Sequence, residues 1–241
     1  LGIFRCKTEH FLLAKNSAVI AGEYGFQYYD MNTGKMRLIA DPEKEISNTM
    51  FNDGKCDPSG RFLAGTASSV NKPEGAFYTL YPDGRIQKHF GGVHCSNGIA
   101  WSPDFRTMYY IDSLTYEVHA FDYDLETGLM SNRRTVISID PSEGLLDGMT
   151  WDCEGMLWIA HWGGWKVSRW DPRTGKRLAE VHVPCEFVTS CVFAGDKMNE
   201  LYITTAIDRL SAEELKHQPA AGGLFRLETE TTGAPSYLFK G

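Results

Sequence analysis

The chain alternates apolar and polar positions over short runs, and the runs recur. Residues 51–66, FNDGKCDPSGRFLAGT, show a polar residue, a glycine, a tight Gly-containing turn and then alternating apolar residues. The pattern returns at 96–112 (SNGIAWSPDFRTMYYID) and 146–162 (LDGMTWDCEGMLWIAHW), with a looser copy at 189–206 (TSCVFAGDKMNELYITTA). Alternation over such short runs predicts half-buried strands. Self-similarity at a period of roughly 45 residues, built from strands and tight turns, predicts a β-propeller.

Between the inner motifs stand hairpin signals of the form D-x-x-T-G. They occur in YYDMNTGKMRLI, FDYDLETGLMSNRRTV and WDPRTGKRLAEVHV, with a P-D-G variant in FYTLYPDGRIQKHF and a less regular version in LFRLETETTGAPSYL. Each hairpin completes a four-stranded blade, so five blades are expected, at about 1–39, 47–90, 93–136, 143–183 and 187–238. The expected fold is all-β, a single propeller domain over 1–241. The helical signal is confined to RLSAEELK at 209–216, where Ser211 as N-cap and Glu214 three residues on form a capping box in a loop between strands.

In a propeller the inner strands of all blades surround one axis, so the polar residues that open them would meet. Asp53 (with Asn52 before it), Asn97, Asp147 and Ser190 hold that place. Asn97 and Asp147 each precede a glycine that lets the backbone turn closely. An amide oxygen and a carboxylate are hard ligands, suited to Ca²⁺, Mg²⁺ or Mn²⁺. The plainer alternative is that Asn-Gly and Asp-Gly are turn dipeptides; their recurrence at equivalent places favours a shared axial site. Asn52 is expected to bond to a substrate or a metal-bound water, and Asp53 to hold its turn through neighbouring backbone. Lys55 and Asp57 read as packing or surface residues. His161, Trp162 and Trp165 are expected in a loop after the third copy's strand, either lining a pocket mouth or packing between blades.

Composition is that of an ordinary globular protein, 42% hydrophobic and 23% charged, with a net charge of -7 that argues against nucleic acid and anionic membrane surfaces as partners. No apolar run approaches the roughly 18 residues that cross a bilayer, and the charge-interrupted start does not read as a signal peptide. The six cysteines (Cys6, Cys56, Cys95, Cys153, Cys185 and Cys191) show neither C-x-x-C nor zinc spacing. Several occupy strand-like apolar positions, as buried reduced thiols do, so a reducing cytoplasm is the expected location. With no H-E-x-x-H, P-loop or G-x-S-x-G motif, serine-nucleophile and nucleotide chemistry are not expected. The expected partner is a small molecule, and the expected state a monomer or weak homo-oligomer.

Through FNDGKCDPSGRFLAGT, SNGIAWSPDFRTMYYIDS, AFDYDLETG with SNRR, DGMTWDCEGMLWIA, and TGKRL followed by TSCVF, the chain resembles the regucalcin (senescence marker protein), gluconolactonase and luciferin-regenerating enzyme family. The resemblance covers essentially the whole chain. It implies a six-bladed propeller, one divalent metal ion (Ca, Zn, Mn or Mg) and hydrolysis of a lactone or ester. The family's metal is held by a Glu of the first blade, an Asn and an Asp. Asn97 and Asp147 match the last two, Asp147 is also the implied proton-transfer residue, and Asn52 with Asn97 is the implied substrate-binding pair.

Three departures accompany the match. Five blades are counted, so the family's first blade, with its Glu, is expected to be lacking. Met50 stands where the family has Arg. A substrate-contacting Glu would fall at Ser69 or Val70, with Glu74 as the acid near it in sequence. The expected activity is that of a metal-dependent lactonase. The alternatives are a non-catalytic calcium-binding or interaction propeller, or a phosphotriesterase-like hydrolase on the same plan.

Overall fold

The structure is a computed structural model that describes residues 12–14, 17–70 and 72–241. Within them the chain runs as a series of antiparallel meanders, each sheet following sequence order. The first sheet comprises β1 (Leu12–Ala14), β2 (Ser17–Gly22), β3 (Gly25–Asp30) and β4 (Met36–Ala40). The second holds β5 (Thr49–Cys56), β6 (Phe62–Ser68), β7 (Gly75–Leu80) and β8 (Ile86–Val93). The third holds β9 (Ser96–Trp101), β10 (Thr107–Asp112), β11 (Glu117–Tyr123) and β12 (Met130–Ser138). The fourth holds β13 (Leu145–Trp151), β14 (Leu157–Trp162), β15 (Lys166–Asp171) and β16 (Lys176–His182). The last holds β17 (Val188–Ala194), β18 (Glu200–Thr205) and β19 (Leu224–Glu228). The boundaries expected for the second, third and fourth blades agree with these sheets to within a few residues; residues 1–11 of the first expected blade, Cys6 among them, lie outside the described residues.

The outer hairpins form for the reason their sequence suggests. The Asp that opens each D-x-x-T-G accepts from the backbone two residues on: Asn32 N to Asp30 Oδ1 at 2.8 Å, Glu126 N to Asp124 Oδ1 at 2.9 Å and Arg173 N to Asp171 Oδ1 at 3.0 Å. The closing glycines, Gly34, Gly128 and Gly175, sit at φ of 68°, 79° and 67°, in the left-handed region where a side chain is strained.

The last blade departs from expectation. Its sheet has three strands among the described residues, not four, because the stretch expected to supply the fourth bonds elsewhere. Cys153 N donates to Thr232 O at 2.8 Å, Ala234 N donates to Trp151 O at 3.2 Å, and Asp152 and Gly233 form an isolated bridge. The backbone of 232–234 is therefore committed to the end of β13 and the turn after it. Helix α1 (Ala212–His217) lies between β18 and β19, capped by Ser211 with the reciprocal bonds to Glu214 of a full capping box.

The contacts divide into two compact units. The first comprises the described residues up to Asn97, Asp124–Met130 and Ser236–Gly241; the second comprises Gly98–Tyr123 and Ser131–Pro235. The first unit's core gathers Val19, Phe26, Phe51, Phe62, Tyr78, Leu80 and Phe239, with Phe26 and Phe51 rings 4.5 Å apart. The second unit has two clusters, one around Ile111, Val118, Leu146, Met149, Leu157 and Ile159, the other around Trp158, Val167, Val188, Phe193 and Leu201. Each fully buried side chain of this size contributes about 1.5–3 kcal/mol relative to exposure.

The turns that leave the inner strands are clamped by buried acids. Asp57 accepts from Arg61 N at 2.8 Å and Arg61 Nε at 2.6 Å, with both residues almost wholly buried. Asp152 accepts from Glu154 N, Met156 N, Trp158 Nε1 and Arg169 Nε, at 2.8 to 3.0 Å. Asp57 is thus a packing residue.

Candidate functional site

The polar residues singled out by the repeat are not in turns. Asn52 lies inside β5, Asn97 inside β9 and Asp147 inside β13. Neither Gly98 nor Gly148 has a positive φ. The expectation that these glycines let the backbone turn is therefore corrected, as is the turn-dipeptide alternative. Their role is close approach. A Cβ on Gly98 would lie 2.5 Å from Met149 Cβ and 2.8 Å from Asp147 O, so only glycine lets β9 lie against β13. Gly148 does the same against Ser190 of β17, and Gly65 against Ser96 of β9.

The repeat instead marks a recurring β-bulge. In β5 the pairing with β6 jumps from Phe51–Thr66 to Asp53–Gly65, leaving Asn52 as the extra residue. In β13 it jumps from Leu146–His161 to Met149–Ile159, so Asp147 and Gly148 together oppose Ala160. In β17 it jumps from Val188–Thr205 to Ser190–Thr204, with Thr189 extra. A bulge re-aims a side chain out of the ladder's alternation, and it does so here in the first, third and fourth copies of the motif. Asp53 sits beside the bulge, buried and opposite Gly65 rather than holding a turn.

In the first unit the structure brings Asn52 and Asn97 to one place. Asn52 Nδ2 donates to Ser96 O at 2.9 Å and stands 3.6 Å from Cys95 Sγ; Asn97 Nδ2 stands 4.0 Å from the same sulfur. Asn97 is buried, and Asn52 and Cys95 are half-buried. Cys95 is the residue that sequence reasoning missed; its place two residues before Asn97 was the available signal. In the second unit Asp147 is half-buried on its bulge, with its backbone oxygen against Gly98.

The aromatic and histidine candidates belong to the packing. His161 and Trp162 are strand residues of β14 rather than loop residues. His161 is fully buried, with Nδ1 3.0 Å from Glu143 O and Nε2 2.6 Å from Ser168 Oγ, and burial lowers its pKa to about 4. Trp162 packs on Phe187 at 4.6 Å between ring centroids. Trp165 stands in the following turn, 40% exposed. Met50 and Ser69, by contrast, line the same cavity of about 250 Å³ in the first unit, together with Glu43.

The donor chemistry fits a hard divalent cation in part. Asn97 and Asp147 supply one amide oxygen and one carboxylate. Among the described residues no group of three His, Cys, Asp or Glu side chains is placed to hold a metal. Asn97 stands in the first unit and Asp147 in the second.

Comparison with known proteins places the bulged strands in a family context. The SMP-30/Gluconolactonase/LRE-like region matches residues 6–207. The chain belongs to the SMP-30/gluconolactonase/LRE-like family. Regucalcin of Danio rerio is 47% identical over 227 residues, which is 92% of this chain and 77% of that protein. A luciferin-regenerating enzyme structure superposes with a TM-score of 0.89 at 29% identity, covering 98% of this chain and 82% of that one. A calcium-binding protein, regucalcin, from Agrobacterium tumefaciens also gives 0.89, at 28% identity over 95% of this chain and 78% of its own. The fold class is accordingly the family's β-propeller, and the family fold supports a lactonase-like function. No helix among the described residues is long and apolar enough to cross a membrane.

Proposed function

We propose that the protein is a divalent-metal-dependent lactone hydrolase. The observation that carries the reading is the family match over residues 6–207 together with the strand-borne, bulged setting of Asn52 and Asp147, the kind of setting that aims a side chain at a ligand. Asn97 and Asp147 would hold the cation. A bound cation would supply Lewis-acid polarisation of the lactone carbonyl. Asp147 takes the proton of the attacking water and returns it to the leaving alkoxide. Asn52, anchored through Ser96 O, orients the lactone ring or the water. Met50, where the resemblance leads one to expect arginine, offers no charged donor, so the substrate is a less hydroxylated lactone or a simple ester. The free thiols of Cys56, Cys185 and Cys191, buried in the described fold, fit a reducing cytoplasm.

The test is Asp147→Ala, assayed on aliphatic lactones and aldonolactones with its folding checked by thermal melting. Loss of turnover in a folded variant is expected; wild-type turnover would sink the mechanism. One observation favours a second reading, a binding propeller without turnover: the described residues offer two hard donors and no acidic triplet. Calorimetric Ca²⁺ binding with no hydrolysis of any lactone or ester would select it.

A further inference from the structure

We propose that His161 is a positioning residue for Asp147: together with Lys166 it grips Glu143, and so fixes where the bulge that carries Asp147 begins. The inference rests on the proposed function for what Asp147 does, and on the second unit's own geometry for how the bulge is held.

Leu146, His161, Lys166 and His182 stand opposite one another across β13, β14, β15 and β16. They form the last regular rung before the β13–β14 ladder breaks at Asp147 and Gly148. Residues opposite one another in a sheet share a face, as do residues two apart on one strand, so His161, Lys166 and Ser168 act on the same side. Glu143 lies just ahead of β13, in the short turn Pro141–Glu143 that Asp140 caps. Both its ends are held. Its carboxylate Oε2 accepts from Lys166 Nζ at 2.7 Å and from Arg177 Nη1, and Glu180 Oε1 lies 3.0 and 2.8 Å from the same two cations. Its backbone oxygen lies 3.0 Å from His161 Nδ1. A Cβ on Gly144 would stand 2.6 Å from Trp162 O, so the joint between this turn and β13 lies directly on the end of β14.

The hydrogen bonds through His161 run in one direction. A carbonyl oxygen only accepts, so the bond to Glu143 puts a proton on Nδ1. Burial lowers the pKa of the ring to about 4, so at neutral pH Nε2 carries no proton and is an acceptor. The Ser168 hydroxyl, 2.6 Å away, donates to Nε2, and its oxygen accepts from Trp170 Nε1 at 2.6 Å. His161 and Ser168 are fully buried, so the ring cannot change tautomer without leaving polar groups unpaired. His161 thus holds the chain at two points, Leu146 through the strand ladder and Glu143 through the ring. Asp147 follows the second of these immediately. A reacting group displaced by about 1 Å loses on the order of a hundredfold in rate, so the grip matters to the chemistry.

The test compares His161→Gln, His161→Asn and Lys166→Met in the full chain. An asparagine amide nitrogen reaches the place of Nδ1 and a glutamine's that of Nε2, so His161→Asn keeps the donor to Glu143 and His161→Gln loses it. Backbone hydrogen exchange over residues 144–149 should quicken roughly five- to tenfold in His161→Gln and Lys166→Met, and stay within about twofold of wild type in His161→Asn, with β10 and β11 unchanged throughout. In the wild type, ¹⁵N NMR should place the His161 proton on Nδ1. On any lactone that the wild type turns over, His161→Gln should lower kcat roughly tenfold or more at unchanged KM, and His161→Asn should recover most of the loss. A wild type that turns over nothing defeats the lactonase reading alone, since exchange is measured without substrate. Unaltered exchange in both His161→Gln and Lys166→Met, equal loosening in His161→Gln and His161→Asn, a kcat untouched by His161→Gln, or a proton on Nε2 would overturn the proposal; the last is read on the wild type and needs no variant to fold.

Discussion

Gly98→Ala is a single methyl added where two inner strands meet. The new Cβ would stand 2.5 Å from Met149 Cβ, 2.8 Å from Asp147 O and 2.9 Å from Ile111 Cδ1. The first two belong to the β13 strand itself and cannot swing aside as the tip of a long side chain can. Met149 and Ile111 are 2% and 0% exposed, so the displaced atoms have nowhere to go. Overpacking of this kind costs about 1–3 kcal/mol. For a chain of this size each kcal/mol is about 2–4 °C, so the midpoint should fall by roughly 2–12 °C. Because the methyl presses on Asp147's own carbonyl, turnover should fall as well, in the fraction that remains folded. The control is Gly91→Ala, where the nearest atoms to a new Cβ are the flexible end of Lys88 at 3.5 Å and φ is not positive; its midpoint should barely move. Thermal and urea unfolding of both variants decide the matter. A Gly98→Ala protein melting with the wild type would refute the claim that this glycine serves strand approach.

Asp152→Ala leaves Trp158 Nε1 and two backbone donors in the turn after β13 without their acceptor and leaves Arg169 paired with Glu154 alone, and should cost about 1–3 kcal/mol in urea unfolding, as leaving a buried donor unsatisfied does. Burial lowers the pKa of His161, and of His89, to about 4, so the unfolded chain binds more protons below its ordinary value of 6.5. Stability should therefore be full above pH 6.5 and decline steadily as pH falls towards 4, and His161→Gln should flatten that slope; an unchanged slope in the variant would contradict the assignment. Met50→Arg restores a fixed cationic donor on β5 and should shift kcat/KM towards polyhydroxylated lactones, with competition assays between aldonolactones and aliphatic lactones as the check.

Much of the architecture is legible because it is written locally. The hairpin ends depend on one Asp and one left-handed glycine each, as at Asp30 with Gly34 and Asp171 with Gly175, and both are visible in the string of residues. The capping box of α1 is likewise contained within four residues. What the string hides is contact between distant segments. Nothing near Gly98 in sequence announces Met149 as its neighbour, so a packing glycine reads as a turn. The bulges at Asn52 and Asp147 are properties of a pair of strands, and only the partner's register reveals them. The lack of a fourth strand after β19 among the described residues has the same origin: the backbone of Thr232 and Ala234 pairs with Cys153 and Trp151, distant in sequence. The candidate residues themselves were found because the motif repeats, while Cys95, between Asn52 and Asn97, lies outside the repeated pattern and emerges only from the side-chain distances.

The most direct measurement is hydrolysis of a panel of aldonolactones, aliphatic lactones and simple esters by the wild-type protein and Asp147→Ala, before and after chelation, with Ca²⁺, Mg²⁺, Mn²⁺ and Zn²⁺ restored one at a time. The account predicts turnover that chelation removes, that at least one cation restores in the wild type, and that no cation restores in the variant. Turnover indifferent to both chelation and Asp147, or a well-folded protein silent on every substrate with every cation, would contradict it.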